Sequence, residues 1–246
     1  IVLAIDQSVF RFYRLNKSRP VIFVVASVGV MFMLNGLVRM LIGTDEIIFR
    51  DGQKFLIKAG LFKKMTGLNE GLALKQTQVL TVVLAVVAVL LLFWFLKRTR
   101  TGKAMRAYSD NEDLALLSGI STERIVMVTW IIAASLATLA GVLYGLDKSF
   151  KPIVYFHLLL PIFASAIVGG IGHPLGAILG GYIVAFSEIT VTYAFKKFIT
   201  YIVPANFAPE GLGQLLSTEY KFAVSFLILV LVLLVRPTGI FRGRVL

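Results

Sequence analysis

The chain contains no cysteine, which removes thiol nucleophiles, thiolate metal sites and disulfide frameworks together. Histidine is nearly as scarce. His157 and His173 have no second ligand at metal spacing, and both read as structural. Charge is thin as well: 15% of the 246 residues are charged, against about 25% in soluble domains. No His-Glu-x-x-His, no Gly-x-Ser-x-Gly and no cluster of intramembrane acids is present, which leaves hydrolytic chemistry without its groups. Gly102-Lys103 lacks the preceding glycine and the following Ser or Thr of a phosphate-binding loop, so no ATP site is expected in this chain. A charged n-region, an apolar h-region and a cleavage site cannot be drawn from Ile1 onward, so no signal peptide is read there. Ile1 to Ile5 reads as the end of an earlier apolar segment.

What the sequence has instead is apolar length. Hydrophobic residues make up 58% of the chain and the mean hydropathy is +0.86, which requires whole segments apolar on every side, a pattern that suits lipid. A helix needs roughly 20 such residues to cross a core about 30 Å thick. The runs predict about six crossings, near residues 20–42, 78–96, 125–146, 154–170, 175–195 and 214–235, the fourth and fifth separated by the turn at Gly169-Gly170-Ile171-Gly172-His173-Pro174. The expected class is an all-α integral membrane protein with one transmembrane domain. Lys and Arg number 25 against 13 Asp and Glu, a net charge of +12. They fall between the apolar runs, where they act as topology signals beside anionic headgroups, and not as nucleic-acid contacts. Six lie in the loop from Lys97 to Arg124, which should face the cytoplasm. The opposing loop, Gly43 to Thr77, also carries six, accompanied by Asp45, Glu46, Asp51 and Glu70.

Small residues mark packing faces. Ala133, Ala137, Gly141 and Gly145 recur every four residues on one helix stripe, which allows a neighbouring backbone to approach. The fifth span carries two such tracks, Gly172, Gly176 and Gly180 on one and Ala177, Gly181 and Ala185 on the other. Together with Gly169 and Gly170 these glycines suit tight packing, a translocation path with accessible carbonyls, or both. Glu188 is the one acid well inside an apolar span. Two readings stand for it: a polar cavity or buried pair, or a helix end paired with Lys196 or Lys197.

The loop at 97–124 is the most specific stretch. Ser109 with Glu112 three residues on predicts a capping box, Asp110, Glu112 and Asp113 suit a helix start, and Gly119 suits a left-handed stop. The expected product is a helix of about two and a half turns. It carries Asn111, Leu114, Leu117 and Ser118 and is followed by Ser121 as cap of the next span. Acids at one end and leucines on one side make it a docking element by shape.

The run from Gly102 to Gly145, with Asn-Glu-Asp, Leu-Leu-Ser-Gly-Ile and Leu-Ala-Gly-Val-Leu, resembles the permease family of ATP-binding-cassette importers for branched-chain amino acids, of the LivH type. The segment from Gly169 to Gly181 and the ending Arg236-Pro-Thr-Gly-Ile-Phe241 resemble two further motifs of that family. The resemblance implies an importer permease fold, with Asp110 to Ser121 as the coupling helix seated on an ATPase subunit. It also implies a second, related permease (LivM type), two ATPase subunits, a binding protein delivering substrate from outside, and no cofactor. Family members carry about two hydrophobic segments, with an Asn-Phe-Ala-His stretch, ahead of the position matching Ile1. The chain is therefore expected to be a piece of a longer protein or a shortened form. A small zwitterion suits the carboxylate-poor path, and urea or a short amide suits it almost as well; a passive channel would need more polar rings than the spans provide.

Overall fold

The computed structural model describes residues 1–49, 55–57, 73–170, 172, 174–191, 221–236 and 239–240. It divides into two compact units, Ile1–Pro152 and Ile153–Leu246.

The first unit begins with a helical stretch in three parts: α1 (Val2–Ile5), a π-helical turn (Asp6–Phe10) and α2 (Arg11–Leu15). Helix α3 (Pro20–Ile42) opens with proline, whose missing N–H is no loss at a first helical position, and ends at Gly43 with φ +89°. A short antiparallel pair, β1 (Phe55–Ile57) and β2 (Leu74–Lys75), interrupts the helical pattern. Then come α4 (Gln76–Arg98), α5 (Arg100–Asp110), α6 (Glu112–Leu117) and α7 (Thr122–Asp147). Helices α4 and α7 are antiparallel neighbours, because Lys75 and Asp147 meet at one end while α5 and α6 connect the other.

The second unit holds α8 (Pro152–His157) from its second residue on, α9 (Leu159–Gly169), α10 (Pro174–Ile189) and α11 (Lys221–Val235). The break between α8 and α9 at Leu158 has a local cause: Pro161 cannot donate to the His157 carbonyl four residues back, and its ring crowds that position. Its core is Ala164, Val168 and Val184, with Ile228, Leu229 and Val232 packed around them.

Among the described residues, four helical stretches are long and apolar enough to cross a membrane: Pro20–Ile42, Gln76–Arg98, Thr122–Asp147 and Pro152–Gly169. Pro174–Ile189 and Phe222–Val235 are apolar but shorter. The expected spans 175–195 and 214–235 extend into positions outside the described residues. Apolar side chains cover the outer surfaces: Val24, Phe32, Leu90, Trp94 and Leu234 are all more than half exposed. Such a surface is stable against lipid or another apolar helix and not against water.

One polar cluster clamps the N-terminal stretch to α7. Asp6 is buried, and its carboxylate accepts two hydrogen bonds from Arg14, at 2.9 and 3.3 Å, and a third from Trp130 Nε1 at 2.8 Å. The Phe10 ring lies against Trp130 with centroids 5.5 Å apart. A second pair, Arg11 and Glu123 at 2.8 Å, is exposed and contributes little by comparison. Asp6 and Phe10, the two ends of the π turn, both meet Trp130. Trp130→Phe keeps the ring but removes the donor to a buried carboxylate, and should cost about 2 kcal/mol. A lowered melting temperature in detergent, with Trp94→Phe as an unaffected exposed control, is the expected result.

Candidate coupling loop and glycine crossing

The loop between α4 and α7 is held by short-range devices. Thr99 Oγ1 donates to the Phe95 carbonyl at 2.7 Å and accepts from Gly102 N–H at 3.0 Å, folding α5 back against the end of α4. A Cβ at Gly102 would stand 2.7 Å from Leu96 Cα and 2.8 Å from its carbonyl oxygen, so only glycine permits this approach.

Helix α6 departs from the sequence expectation at its start. Ser109 and Asp110 complete α5, and the N-cap is Asn111, whose backbone is extended (φ −159°, ψ 109°) and whose Oδ1 accepts from Leu114 N–H at 3.0 Å. Glu112 is not the capping-box partner, because Tyr108 claims it: the tyrosine hydroxyl donates to Glu112 Oε1 at 2.6 Å. The helix is therefore six residues long, under two turns, with Glu112 and Asp113 in its first turn and Asp110 outside it. The C-terminal stop is the one Gly119 predicts. Its φ is +79°, its N–H donates to the Leu116 carbonyl at 3.0 Å, and Ile120 N–H reaches back to Ala115 at 3.0 Å, a Schellman closure. Ser118 Oγ donates to the Leu114 carbonyl at 2.8 Å. Ser121 sits at the cap position of α7 without a side-chain cap bond.

Between these two ends α6 buries Ala115 and leaves Leu114 and Leu117 61% and 85% exposed. Tyr108 ties the loop together. Burial, and next the Glu112 hydrogen bond, push its hydroxyl above the ordinary 10.0, while Thr122 and Arg14 pull it down. The tyrosine thus stands among α6, the first residue of α7 and the Asp6 clamp.

In the second unit the glycines sort into distinct roles. Gly176 and Gly180 lie on the buried face of α10 with Val184. A Cβ at Gly180 would strike the Ser165 carbonyl and stand 2.7 Å from Gly169 N; one at Gly169 would strike the Gly176 carbonyl and lie 2.6 Å from Ala177 N. These three glycines form a backbone-to-backbone crossing of α9 and α10. Gly172 does not share their track: it lies in the turn before α10 with φ +90°, and Gly170 has φ +95°. Gly181 is loosely surrounded, with Ser165 Oγ 3.9 Å from where a Cβ would stand, and Ala177 and Ala185 are exposed. On α7, Gly145 is buried and Gly141 half-buried, but Ala133 and Ala137 are exposed, so the stripe is covered at one end only. Glu188 Oε1 accepts a hydrogen bond from Ser225 Oγ, and Ser225 is fully buried, which ties α10 to α11. His157 stacks on Phe222 at 5.7 Å. His173, Lys196 and Lys197 lie outside the described residues.

Two features escaped the sequence. The tail motif is a tertiary contact: Ile240 N–H donates to the Val168 carbonyl at 2.8 Å, and a Cβ at Gly239 would lie 2.6 Å from Gly170 Cα. The glycine-rich segment and the tail motif therefore pack on one another. The Asp6 clamp was invisible because Trp130 is 124 positions away, and nothing local marks either residue.

Long apolar helices joined through a doubly capped loop, with a glycine crossing between shorter helices, define a multi-pass membrane protein. Comparison with known proteins agrees. The family described as the permease component of the branched-chain amino acid transport system matches residues 13–233. The high-affinity branched-chain amino acid transport system permease protein LivH of Escherichia coli (strain K12) is 31% identical over 230 residues, 92% of this chain and 65% of its own length. LivH of Salmonella typhimurium is 30% identical over 226 residues with the same coverage, 92% and 65%. The probable branched-chain amino acid transport permease protein LivH of Methanocaldococcus jannaschii is 35% identical over 149 residues, 61% of this chain and 43% of its own. No solved structure matches. The chain thus spans 65% of the length of the enterobacterial relatives it matches. It belongs to the branched-chain amino acid transport permease family.

Two outcomes follow from this geometry. Gly180→Ala should lower yield and melting temperature sharply, because backbone and not a movable side chain blocks the added methyl, whereas Gly181→Ala should behave as the parent; equal behaviour of the two would refute the crossing. The raised Tyr108 value contributes stability that is full below the ordinary 10.0 and is lost as pH climbs through the folded value. In difference-absorbance titration, the phenolate signal that Tyr108→Phe deletes should therefore emerge above pH 10.0.

Proposed function

We propose that this chain is the membrane-spanning permease subunit of an ATP-binding-cassette importer in the bacterial inner (plasma) membrane, forming half of a path for branched-chain amino acids. Its partners in this reading are a second permease of the LivM type, two ATPase subunits and a substrate-binding protein on the outer face. The observation that carries it is α6. A helix of under two turns, capped at both ends by its own residues, holds Leu114 and Leu117 out from a loop between two spans. Apolar side chains held rigidly outward suit a groove on a partner, and the acids Glu112 and Asp113 add a polar rim in which Glu112 is already braced by Tyr108. Asp110, Asn111, Ser118 and Gly119 serve this helix as its flanks and caps.

The glycines of the α9–α10 crossing and the Glu188–Ser225 pair border the path in this reading, with the exposed Ala133 and Ala137 face of α7 offered to the second permease. Support for the solute class comes from the relatives' names and from the spans, whose apolar lining and few carboxylates suit a zwitterion with an aliphatic side chain.

The test uses the full-length protein with its ATPase and second permease. Leu114→Glu with Leu117→Glu should cut ATPase co-purification by about tenfold or more and abolish ATP-dependent leucine uptake while membrane insertion persists. Unchanged co-purification would remove α6 from the docking role. Uptake of urea and not leucine would move the solute, and leucine uptake without ATP would overturn the importer.

A further inference from the structure

A slot of about 570 Å³ runs between α4 and α7. Its walls are apolar, with Val82, Ala85 and Val89 on one side and Leu136, Leu139 and Leu143 on the other, and its polar end is Gln78 and Asp147. From Gln78 to Val89 the helix rises about 16 Å, half the thickness of a hydrocarbon core about 30 Å deep. The slot therefore has the depth of one leaflet. A solute of amino-acid size would leave most of it empty, a costly condition in a packed interior.

The polar end has an unmet requirement. Asp147 Oδ1 is buried and has no hydrogen-bond partner among the described residues. Among the described residues the nearest cation to it, Lys75 Nζ, is 3.9 Å away, beyond hydrogen-bonding distance, and donates instead to the Asp147 backbone carbonyl at 3.4 Å. Lys148 Nζ stands 3.7 Å from Oδ2. One carboxylate oxygen without a hydrogen-bond donor thus lies within ion-pair distance of one ammonium group while its twin oxygen faces a second, at the polar end of a leaflet-deep apolar slot.

We propose that this slot holds one phospholipid with a primary-ammonium headgroup. The ammonium donates to Asp147 Oδ1, the phosphate lies between Lys75 and Lys148, and one acyl chain follows the α4–α7 seam. A phosphatidylethanolamine matches every part of this pattern. A phosphatidylcholine does not, because its quaternary ammonium has no N–H for Oδ1, and a phosphatidylglycerol brings no cation at all. Lysines that carry an apolar stem to a charged tip are suited to this headgroup level.

The test is native mass spectrometry of the detergent-solubilised protein titrated with the three lipids, their acyl chains held constant. The unaltered protein should retain phosphatidylethanolamine about tenfold better than phosphatidylcholine, the size of effect that a charge-assisted hydrogen bond gives. Asp147→Asn should erase that preference, and Ala85→Phe, which fills the slot, should lower retention of all three. Helicity by circular dichroism identifies any variant that fails to fold, and the comparison of lipids on the unaltered protein needs no variant. Equal retention of the three lipids by the unaltered protein would overturn the proposal, as would an unchanged preference in Asp147→Asn. Displacement of phosphatidylethanolamine by free leucine would overturn it in favour of a solute site.

Discussion

In hydrocarbon an apolar side chain gains no hydrophobic free energy by leaving lipid for a neighbouring helix, so helices are held by close backbone approach and by polar pairs. The second unit depends on the first of these. Gly169, Gly176 and Gly180 bring α9 and α10 near enough for a carbonyl of one to occupy the space where the other would carry a Cβ. Around this contact Ala164, Val168 and Val184 close to full burial, and Val168 also offers its carbonyl to Ile240, so the tail is fastened to the same place. The Glu188–Ser225 hydrogen bond then links α10 to α11.

The first unit relies on polar pairs. The α4–α7 hairpin is held at one end by Lys75 near Asp147 and at the other by the loop through Thr99 and Gly102. Near the loop end, α7 also carries Trp130, which reaches the buried Asp6. Between these fixed points the seam is apolar and open, which is why it forms a slot. The loop itself is stiff over short distances, because α6 closes on its own caps and Tyr108 braces it against α5 and the first residue of α7. The exposed leucines are thus carried on a segment whose two ends are fixed by contacts within the loop.

Legibility from sequence followed the range of the interaction. Gly119 as a left-handed stop was readable because the Schellman closure spans six residues. The N-cap lies two positions beyond the one the sequence predicts, since Ser109, Asp110 and Asn111 are all good caps and only the folded chain shows that Asn111 bonds Leu114 N–H while Glu112 bonds Tyr108. On α10 the repeat of Gly176 and Gly180 is visible in the sequence, but Gly172 matches its spacing without belonging to it, because the helix begins at Pro174 and a periodic pattern does not reveal where a helix starts.

Sequence by itself determined the class: apolar runs long enough to span lipid, basic residues gathered between them, and local cap and turn chemistry, all consequences of solvation and of contacts within a few residues. Tertiary structure alone decided which glycines meet a backbone, that the glycine-rich segment and the tail motif touch one another, that Asp6 pairs with Trp130, and that one oxygen of Asp147 stays buried beside two lysines. These facts depend on how helices distant in sequence are brought side by side. Neither periodicity nor composition carries that information, because the same small-residue stripe packs equally well against lipid, a neighbouring helix or another chain until its partner is placed.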